Sequence, residues 1–186
     1  MKKHVAIILS VLTIAGAVSF AGCGASDSKV SDGGNTSAVS QTEAKKSGDG
    51  FTEADLTCEI NGKKIDLNED MSEVLSKLGD AKNVYSEASC HGTEGEDKTY
   101  EYDGFSVFTY PDGEIDRVIE ITIKGEGIAT PKGISVGSKD SEIGEKYGDD
   151  VQKTGKYLSY SVGDKSLQFF VEDGVVKEID YYFDGV

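Results

Sequence analysis

Two stretches, LNEDMSEVLSKLGD (Leu67–Asp80) and VGSKDSEIGEKYGD (Val136–Asp149), decide the fold of this chain because they repeat one pattern. An offset of 69 positions, from Leu67 to Val136, aligns serine, glutamate, lysine, glycine and aspartate residues of the first stretch with identical residues of the second. Self-similarity at a fixed offset is the sequence signature of a repeated structural unit. The chain is therefore expected to contain two related halves.

Each stretch has the pattern of a short amphipathic helix. In the first stretch, the apolar residues that share one helix face are Met71, Val74, Leu75 and Leu78. Asn68 or Asp70 is expected to cap the start of this helix, and Ser138 the start of the second. Gly79 and Gly148 stand where a glycine ends a helix. Helices this short are marginal alone, so both are expected to pack against another element.

Strand-forming runs follow both helices, which predicts an α+β domain. Three runs lie between residues 98 and 125 and three between residues 156 and 183, and most are separated by Asp-Gly or Gly-Asp turns. A further hairpin is predicted around Asn61-Gly62, ahead of the first helix. Each half is thus expected to be a helix followed by an antiparallel meander of three strands.

We expect a single α+β domain, residues 51–186, made of two such repeats at about 56–124 and 128–183. The strands are expected to form one curved antiparallel sheet with both helices on one face. The interval from Gly79 to Asp112 is longer by 8 positions than the corresponding interval from Gly148 to Asp173, and the surplus falls within SEASCHGTEGED (Ser86–Asp97). An extra loop is therefore predicted in the first half.

The N-terminus has the layout of an export signal. Two lysines precede an apolar run, Val5–Phe20, that contains no charged residue and is short for a membrane-spanning helix. The sequence Phe20-Ala21-Gly22-Cys23 resembles the lipobox of bacterial lipoproteins, although leucine usually stands where this chain has Phe20. The resemblance implies removal of residues 1–22, a diacylglycerol on the Cys23 thiol, and stable anchoring to the membrane by acyl chains. The alternative is an ordinary secretory signal followed by an incidental cysteine.

Residues 23–50, from the predicted lipidation site onward, have the composition of a linker. They are rich in serine, glycine and aspartate, and such a segment buries too little apolar surface to fold. The whole chain has 19 basic and 34 acidic residues and a net charge of −15. Because nucleic-acid binding relies on basic residues that neutralise phosphates, no nucleic-acid partner is expected.

Cys58 and Cys90 are the cysteines beyond the predicted lipidation site. In an exported domain such a pair predicts a disulfide, which would join the extra loop to the leading hairpin. A metal pair and a reactive thiol are the alternatives, but two cysteines with one histidine, His91, fall short of a tetrahedral zinc set. Adjacent residues of an extended segment point to opposite sides, so Cys90 and His91 are not expected to work together. We predict no metal site and no cofactor, and loose calcium binding by the acidic loop Glu94–Asp97 is the alternative.

The order of these elements resembles that of the β-lactamase-inhibitor proteins and of the SmpA/OmlA outer-membrane lipoproteins. The resemblance covers about residues 56–183 and rests on the helix–glycine repeat and the strands that follow, without a diagnostic motif. In that fold, two helices pack on one face of a curved sheet and the other face binds a partner protein. The resemblance therefore implies a binding module rather than an enzyme, and it carries over no binding residue.

The strands carry aromatic residues on both alternating faces, so some are expected on the face away from the helices. With Phe105, Val107, Leu167 and Phe169 facing the helices, the residues left on the other face are Phe108, Tyr110, Phe170 and Tyr182. Exposed aromatic residues on a sheet suit contacts with a partner, so these four are the predicted partner-binding residues. The alternative is that loops cover them or that they pair only with neighbouring strands.

Three functions remain open, and the sequence favours the first. The first function is that of a non-enzymatic cell-surface lipoprotein that binds a protein or peptide through the open sheet face. It predicts a contiguous aromatic patch on that face. The second is a structural lipoprotein that supports envelope assembly, which predicts a polar open face. An enzyme is least favoured, because it needs a pocket that combines His91, or paired carboxylates such as Glu94 and Asp97, with perturbed pKa values.

Overall fold

The computed structural model describes residues 50–91 and 94–186. The predicted signal peptide, the predicted lipidation site Cys23 and the linker up to residue 49 lie outside the described residues. Lipidation therefore stays a prediction. Within these two ranges, no helix has the length and apolar character needed to cross a membrane.

The described part of the chain contains two α-helices and two antiparallel sheets. The elements are, in chain order, a 3-10 helix (Glu53–Leu56), β1 (Cys58–Ile60), β2 (Lys63–Ile65), α1 (Met71–Leu78), β3 (Asn83–Ala88), β4 (Glu96–Glu101), β5 (Phe105–Asp112), β6 (Ile115–Ile123), α2 (Asp140–Tyr147), β7 (Gln152–Thr154), β8 (Tyr157–Val162), β9 (Lys165–Glu172) and β10 (Val175–Phe183). Strands β1 and β2 form a hairpin, and the other eight form one sheet in the order β3-β4-β5-β6-β10-β9-β8-β7. The predicted α+β class is confirmed.

Four strands follow each helix, where the sequence predicted three. Strands β3 to β6 follow α1, and β7 to β10 follow α2. The two additional strands, β3 and β7, are exposed along their whole length, so no alternation of apolar residues marks them. Strands β6 and β10 pair with each other through Ile121 and Tyr181 and the positions beside them. The two four-stranded meanders therefore join along one central seam.

The two helices begin differently. The Asp70 side chain caps α1 as predicted, because it accepts a hydrogen bond from the backbone N–H of Ser72 at 2.8 Å. The N-cap residue of α2 is Lys139, which makes no side-chain cap. The predicted cap, Ser138, instead accepts a hydrogen bond from the Ser135 backbone N–H at 3.1 Å, so that prediction was wrong by one residue.

Both helices end at the predicted glycines, Gly79 and Gly148. Their φ angles are 81° and 89°, a backbone region that favours glycine. A tyrosine of each meander then donates to the glycine carbonyl. The Tyr102 hydroxyl lies 3.1 Å from the Gly79 oxygen, and the Tyr160 hydroxyl lies 2.8 Å from the Gly148 oxygen. The same type of contact thus holds each helix end against its own meander.

One face of the large sheet packs against the helices, and we call it the inner face. Its fully buried side chains recur at paired positions, as at Val107 of β5, Ile121 of β6 and Tyr181 of β10. Helix α2 contacts this face through Tyr147, whose ring centroid lies 5.7 Å from that of Phe169. The four residues predicted to face the helices, Phe105, Val107, Leu167 and Phe169, are all buried. The opposite side of the sheet is called the open face.

The leading hairpin turns at Asn61-Gly62 as predicted. The φ angles of these two residues are 52° and 73°, and positive values at both positions define the turn that suits a two-residue hairpin. The hairpin then places Cys58, Ile60 and Ile65 in the core.

The predicted disulfide between Cys58 and Cys90 is not formed, and both cysteines are free among the described residues. Cys58 is buried with the inner-face residues, and burial raises the pKa of its thiol to about 12. Cys90 is exposed and lines a cavity with Phe108 and Tyr182, which belong to the open face. The sheet therefore separates the two thiols. The disulfide prediction relied only on the number of cysteines and on export of the domain, and the pairing it gave was wrong.

The two meanders differ at their first hairpin, where the extra loop was predicted. Strands β3 and β4 are paired up to Ala88 and Glu96, so residues 89–95 connect them. Strands β7 and β8 are paired up to Thr154 and Tyr157 and are joined by a two-residue turn. The longer connection is the segment that bears Cys90.

Candidate functional site

The open face is polar at its centre. One row of paired residues across it consists of Phe108, Glu120, Tyr182, Ser166 and Ser161. The next row consists of Ser106, Thr122, Asp180, Gln168 and Ser159. Aromatic residues therefore flank a polar centre, and the described open face does not carry the contiguous aromatic patch that the binding hypothesis predicted.

Three of the four predicted partner-binding residues are partly accessible on the open face. Phe108 and Tyr182 both pair with Glu120 and line one cavity. Phe170 lies towards the other edge of the sheet, where its ring centroid is 5.2 Å from that of Tyr157. The structure therefore brings Phe108 and Tyr182 together and leaves Phe170 apart from them.

The fourth predicted residue, Tyr110, is buried with 7% of its surface exposed. Its hydroxyl donates to Asn68 Oδ1 at 3.0 Å, and the ring centroid of His91 lies 6.2 Å from its own. His91 belongs to the extra loop, so the alternative that a loop covers an aromatic residue holds at this position. Tyr110 is not an accessible contact residue, contrary to the prediction.

A cavity of about 230 Å³ lies between the open face and the extra loop. The sheet contributes Phe108, Glu120 and Tyr182 to its lining, and Cys90, His91 and Asp97 line it from the region of the loop. The cavity thus combines two aromatic side chains with several groups that can bind a ligand or an ion.

Cys90, His91 and Asp97 converge on one point beside this cavity. Asp97 Oδ2 lies 3.8 Å from Cys90 Sγ and 3.7 Å from His91 Nε2. The sulfur, nitrogen and oxygen atoms that these residues offer all lie within 4.8 Å of one another. We call these three residues the loop cluster.

The conformation of the extra loop explains this convergence. The Ser89 backbone N–H donates to the Gly95 carbonyl at 3.1 Å and so closes the loop. The Cys90 N–H donates to Asp97 Oδ2 and the His91 N–H to Ser89 Oγ, both at 3.3 Å. The chain bends at these hydrogen bonds and is not extended. The expectation that Cys90 and His91 point apart was therefore wrong.

A buried acidic group lies at the centre of the open face and was not predicted. Burial raises the pKa of Asp180 to about 7, the Thr122 hydroxyl opposes this shift, and the nearby charges of Glu178 and Glu120 add to it. Burial also raises the pKa of Glu120, which accepts a hydrogen bond from Thr122 Oγ1 at 2.9 Å. Its sequence signal is one aspartate inside the apolar run of β10, which matches no motif.

A larger cavity, about 610 Å³, lies beside α2 and the β7–β8 hairpin. Its lining includes Tyr160, whose pKa burial raises to about 12. The Tyr160 hydroxyl already donates to the Gly148 carbonyl, which is a structural contact. Size alone therefore does not make this cavity the better candidate, and we place the functional site at the loop cluster and the smaller cavity.

No protein-family model matches the chain, and no curated protein sequence matches it. Among solved structures, it is similar to an extracellular protein containing a SCP domain from Bacillus anthracis, with 15% identity and a TM-score of 0.47. It is also similar to a cysteine-rich secretory protein from Staphylococcus aureus, with 15% identity and a TM-score of 0.44. In both cases the similarity covers 63% of this chain and 44% of the other chain. Similarity at this level carries no argument about the function of this chain.

Proposed function

We propose that this protein is an exported, lipid-anchored binding module that holds a protein or peptide partner at the cavity between its open sheet face and the extra loop. The observation that carries the proposal is the pair Phe108 and Tyr182. Both are only partly buried, and both line the cavity on either side of Glu120. Aromatic side chains in a cavity with a polar rim are the usual anchors of a protein contact.

The lipid anchor is part of the proposal because the export signal ends in Phe20-Ala21-Gly22-Cys23. Acyl chains on Cys23 hold the protein at a membrane, and the linker up to residue 50 allows the domain to extend away from the membrane surface. Substituting Cys23→Ala is expected to abolish labelling by a fatty-acid analogue and to release the protein from the membrane fraction. Undiminished labelling of the variant would refute acylation at this residue.

A non-enzymatic role is proposed because the loop cluster lacks the order of a nucleophile site. Cysteine catalysis needs a histidine between the thiol and the carboxylate, so that the histidine can accept the thiol proton. Here Asp97 Oδ2 is the atom that contacts both Cys90 Sγ and His91 Nε2. The arrangement favours binding over acyl transfer.

The test is a crosslinking pull-down from envelope extract with the full chain and two double variants. The first carries Phe108→Ser and Tyr182→Ser at the cavity. The second carries Tyr157→Ser and Phe170→Ser, which removes two partly exposed aromatic rings from the same face at a distance from the cavity. We expect the parent chain and the second variant to capture the same partner and the first variant to lose it.

Circular dichroism of both variants establishes that they are folded before capture is compared. Loss of the partner by the second variant alone would show that the binding surface lies at the other end of the sheet, near Tyr157 and Phe170. Equal capture by all three chains would refute the cavity as the binding surface.

A structural role in the envelope is the second candidate, because the centre of the open face is polar. Thr122, Asp180 and Gln168 occupy paired positions there. The pull-down also addresses this role, since a structural lipoprotein without a dedicated ligand is expected to capture no specific partner in any of the three forms.

A further inference from the structure

We infer that Cys90 Sγ, His91 Nε2 and Asp97 Oδ2 form a binding site for a zinc-type divalent metal ion. The site does not depend on the proposed partner binding, although it adjoins the same cavity. Thiolate, imidazole and carboxylate are the side-chain groups that bind zinc in proteins. The presence of a sulfur ligand favours zinc over calcium or magnesium, which prefer oxygen ligands.

The two distances from Asp97 Oδ2 to the other ligand atoms of the loop cluster are close to those of a tetrahedral site. Zinc bonds of about 2.3 Å to sulfur and about 2.1 Å to nitrogen and oxygen place the ligand atoms of a tetrahedron roughly 3.4 to 3.6 Å apart. Asp97 Oδ2 lies 3.7 Å from His91 Nε2 and 3.8 Å from Cys90 Sγ. Asp97 Oδ2 therefore needs to move by only a few tenths of an ångström relative to each of the other two ligand atoms, and those two lie within 4.8 Å of each other.

The electrostatic environment favours a cation at this point. Asp97 pairs directly with Glu87 across β3 and β4, and like charges at paired positions repel each other. Glu87 and Glu120 also line the cavity. Lys98 lines it too, but its ammonium lies 2.7 Å from Asp116 and is engaged there. A divalent ion relieves the repulsion between Glu87 and Asp97.

The Asp97 carboxylate has capacity for a further ligand. Its Oδ1 atom is buried and has no hydrogen-bond partner in the part of the chain that the structure describes. Buried polar oxygens are nearly always paired, so the unpaired Oδ1 lacks a partner that an ion held by both oxygens of this carboxylate would supply. Burial of Oδ1 together with convergence on Oδ2 distinguishes this carboxylate from an ordinary surface aspartate.

Three protein ligands leave the fourth position of a tetrahedral ion open. Zinc sites with three protein ligands keep a water molecule or an exchangeable group there. In this chain, the cavity that the loop cluster lines also contains Phe108 and Tyr182. We therefore assign the fourth position to a water molecule that faces the cavity.

The test uses the full chain, reduced and freed of metal with a chelator, and titrates it with Co²⁺ as a spectroscopic substitute for Zn²⁺. We expect one ion per chain and an absorption band in the near ultraviolet from the thiolate–cobalt bond, which Zn²⁺ then abolishes by displacement. Each of the variants Cys90→Ser, His91→Gln and Asp97→Asn is expected to bind at least about tenfold more weakly.

Two matched variants serve as controls. Glu94→Gln removes an exposed acidic group from the same loop, and Cys23→Ser, compared with parent chain produced without acylation, removes a thiol outside the loop cluster. Both are expected to bind within about twofold of the parent chain. Zn²⁺ is also expected to raise the melting temperature of the parent and of Glu94→Gln, but not that of Cys90→Ser, because an ion that binds only the folded state stabilises it.

Absence of the near-ultraviolet band in the parent chain would overturn the proposal. Persistence of the band in Cys90→Ser would overturn it as well, since the sulfur ligand would then be another cysteine. Because Cys90 is exposed, its substitution does not alter the core, and circular dichroism of the metal-free variants verifies this.

Discussion

Replacing the buried Asp180 with asparagine is expected to stabilise the protein at neutral and alkaline pH. Asp180 lies at the centre of the open face, with 7% of its surface exposed, and its Oδ1 has no hydrogen-bond partner among the described residues. Burial raises its pKa from 3.8 to about 7, so the folded protein resists ionisation of this group. Asparagine has nearly the same shape and never ionises.

The magnitude follows from the two pKa values. The folded state holds the proton up to about pH 7, whereas the unfolded chain releases it near pH 4. Stability from this group is therefore complete below about pH 4 and is lost as the pH rises towards 7. Each pKa unit corresponds to about 1.4 kcal/mol, and the folded group is half ionised at pH 7, so about 2 kcal/mol of unfolding free energy is lost between pH 5 and pH 7.

The assay is urea unfolding of the parent chain and of Asp180→Asn near pH 5 and near pH 8. The unfolding free energy of the variant, relative to the parent, is expected to rise by about 2–3 kcal/mol from the lower to the higher pH. Asp184→Asn, at an exposed position after β10, reports the effect of removing one negative charge from an acidic protein. A difference between Asp180→Asn and the parent that is the same at both pH values, or a pH dependence equal to that of Asp184→Asn, would refute the reasoning.

Three further outcomes are expected from single positions. A thiol reagent should label Cys90 in the folded protein and Cys58 only after unfolding, because Cys58 is buried and its thiol pKa is raised to about 12. Mass spectrometry of the labelled peptides checks this. A Cys58–Cys90 disulfide would instead leave both cysteines unlabelled. Gly125→Ala should lower the unfolding free energy by about 1–3 kcal/mol in urea titrations, because a Cβ atom there would lie 2.5 Å from Gly104 Cα. An unchanged unfolding midpoint would contradict this close contact. Tyr147→Phe should cost about 1 kcal/mol, measured in the same way, because the hydroxyl makes a buried hydrogen bond of 2.7 Å; a neutral effect would mean that this bond contributes nothing net.

Much of the fold was predictable because local patterns carry it. The apolar spacing of α1 and the glycines Gly79 and Gly148 mark the helices, and the Asn61-Gly62 turn marks the leading hairpin. Strand β3 was missed because all of its residues are exposed, and an exposed edge strand needs no alternation of apolar side chains. Its position depends on hydrogen bonds to β4, which the sequence of β3 does not reveal.

The site was less predictable because it depends on how distant segments meet. Alternation along β5 and β10 predicted that Phe108 and Tyr182 share a face, but not that a loop covers Tyr110. The convergence of Cys90 and His91 on Asp97 requires a bend between β3 and β4, and the assumption of an extended segment excluded it. The disulfide prediction failed for a related reason, since residue counts do not indicate on which side of a sheet a thiol lies.

The first hairpins of the two meanders differ in the length of their connection, although both meanders have the same arrangement of strands. None of the described residues of the connection at 89–95 contributes a side chain to the core, whereas the corresponding β7–β8 turn has only two residues, Gly155 and Lys156. Chemistry at one hairpin end can therefore change while the scaffold keeps its stability. The β7–β8 end is a second attachment point of the same kind, where a longer connection can be grafted without rebuilding either meander.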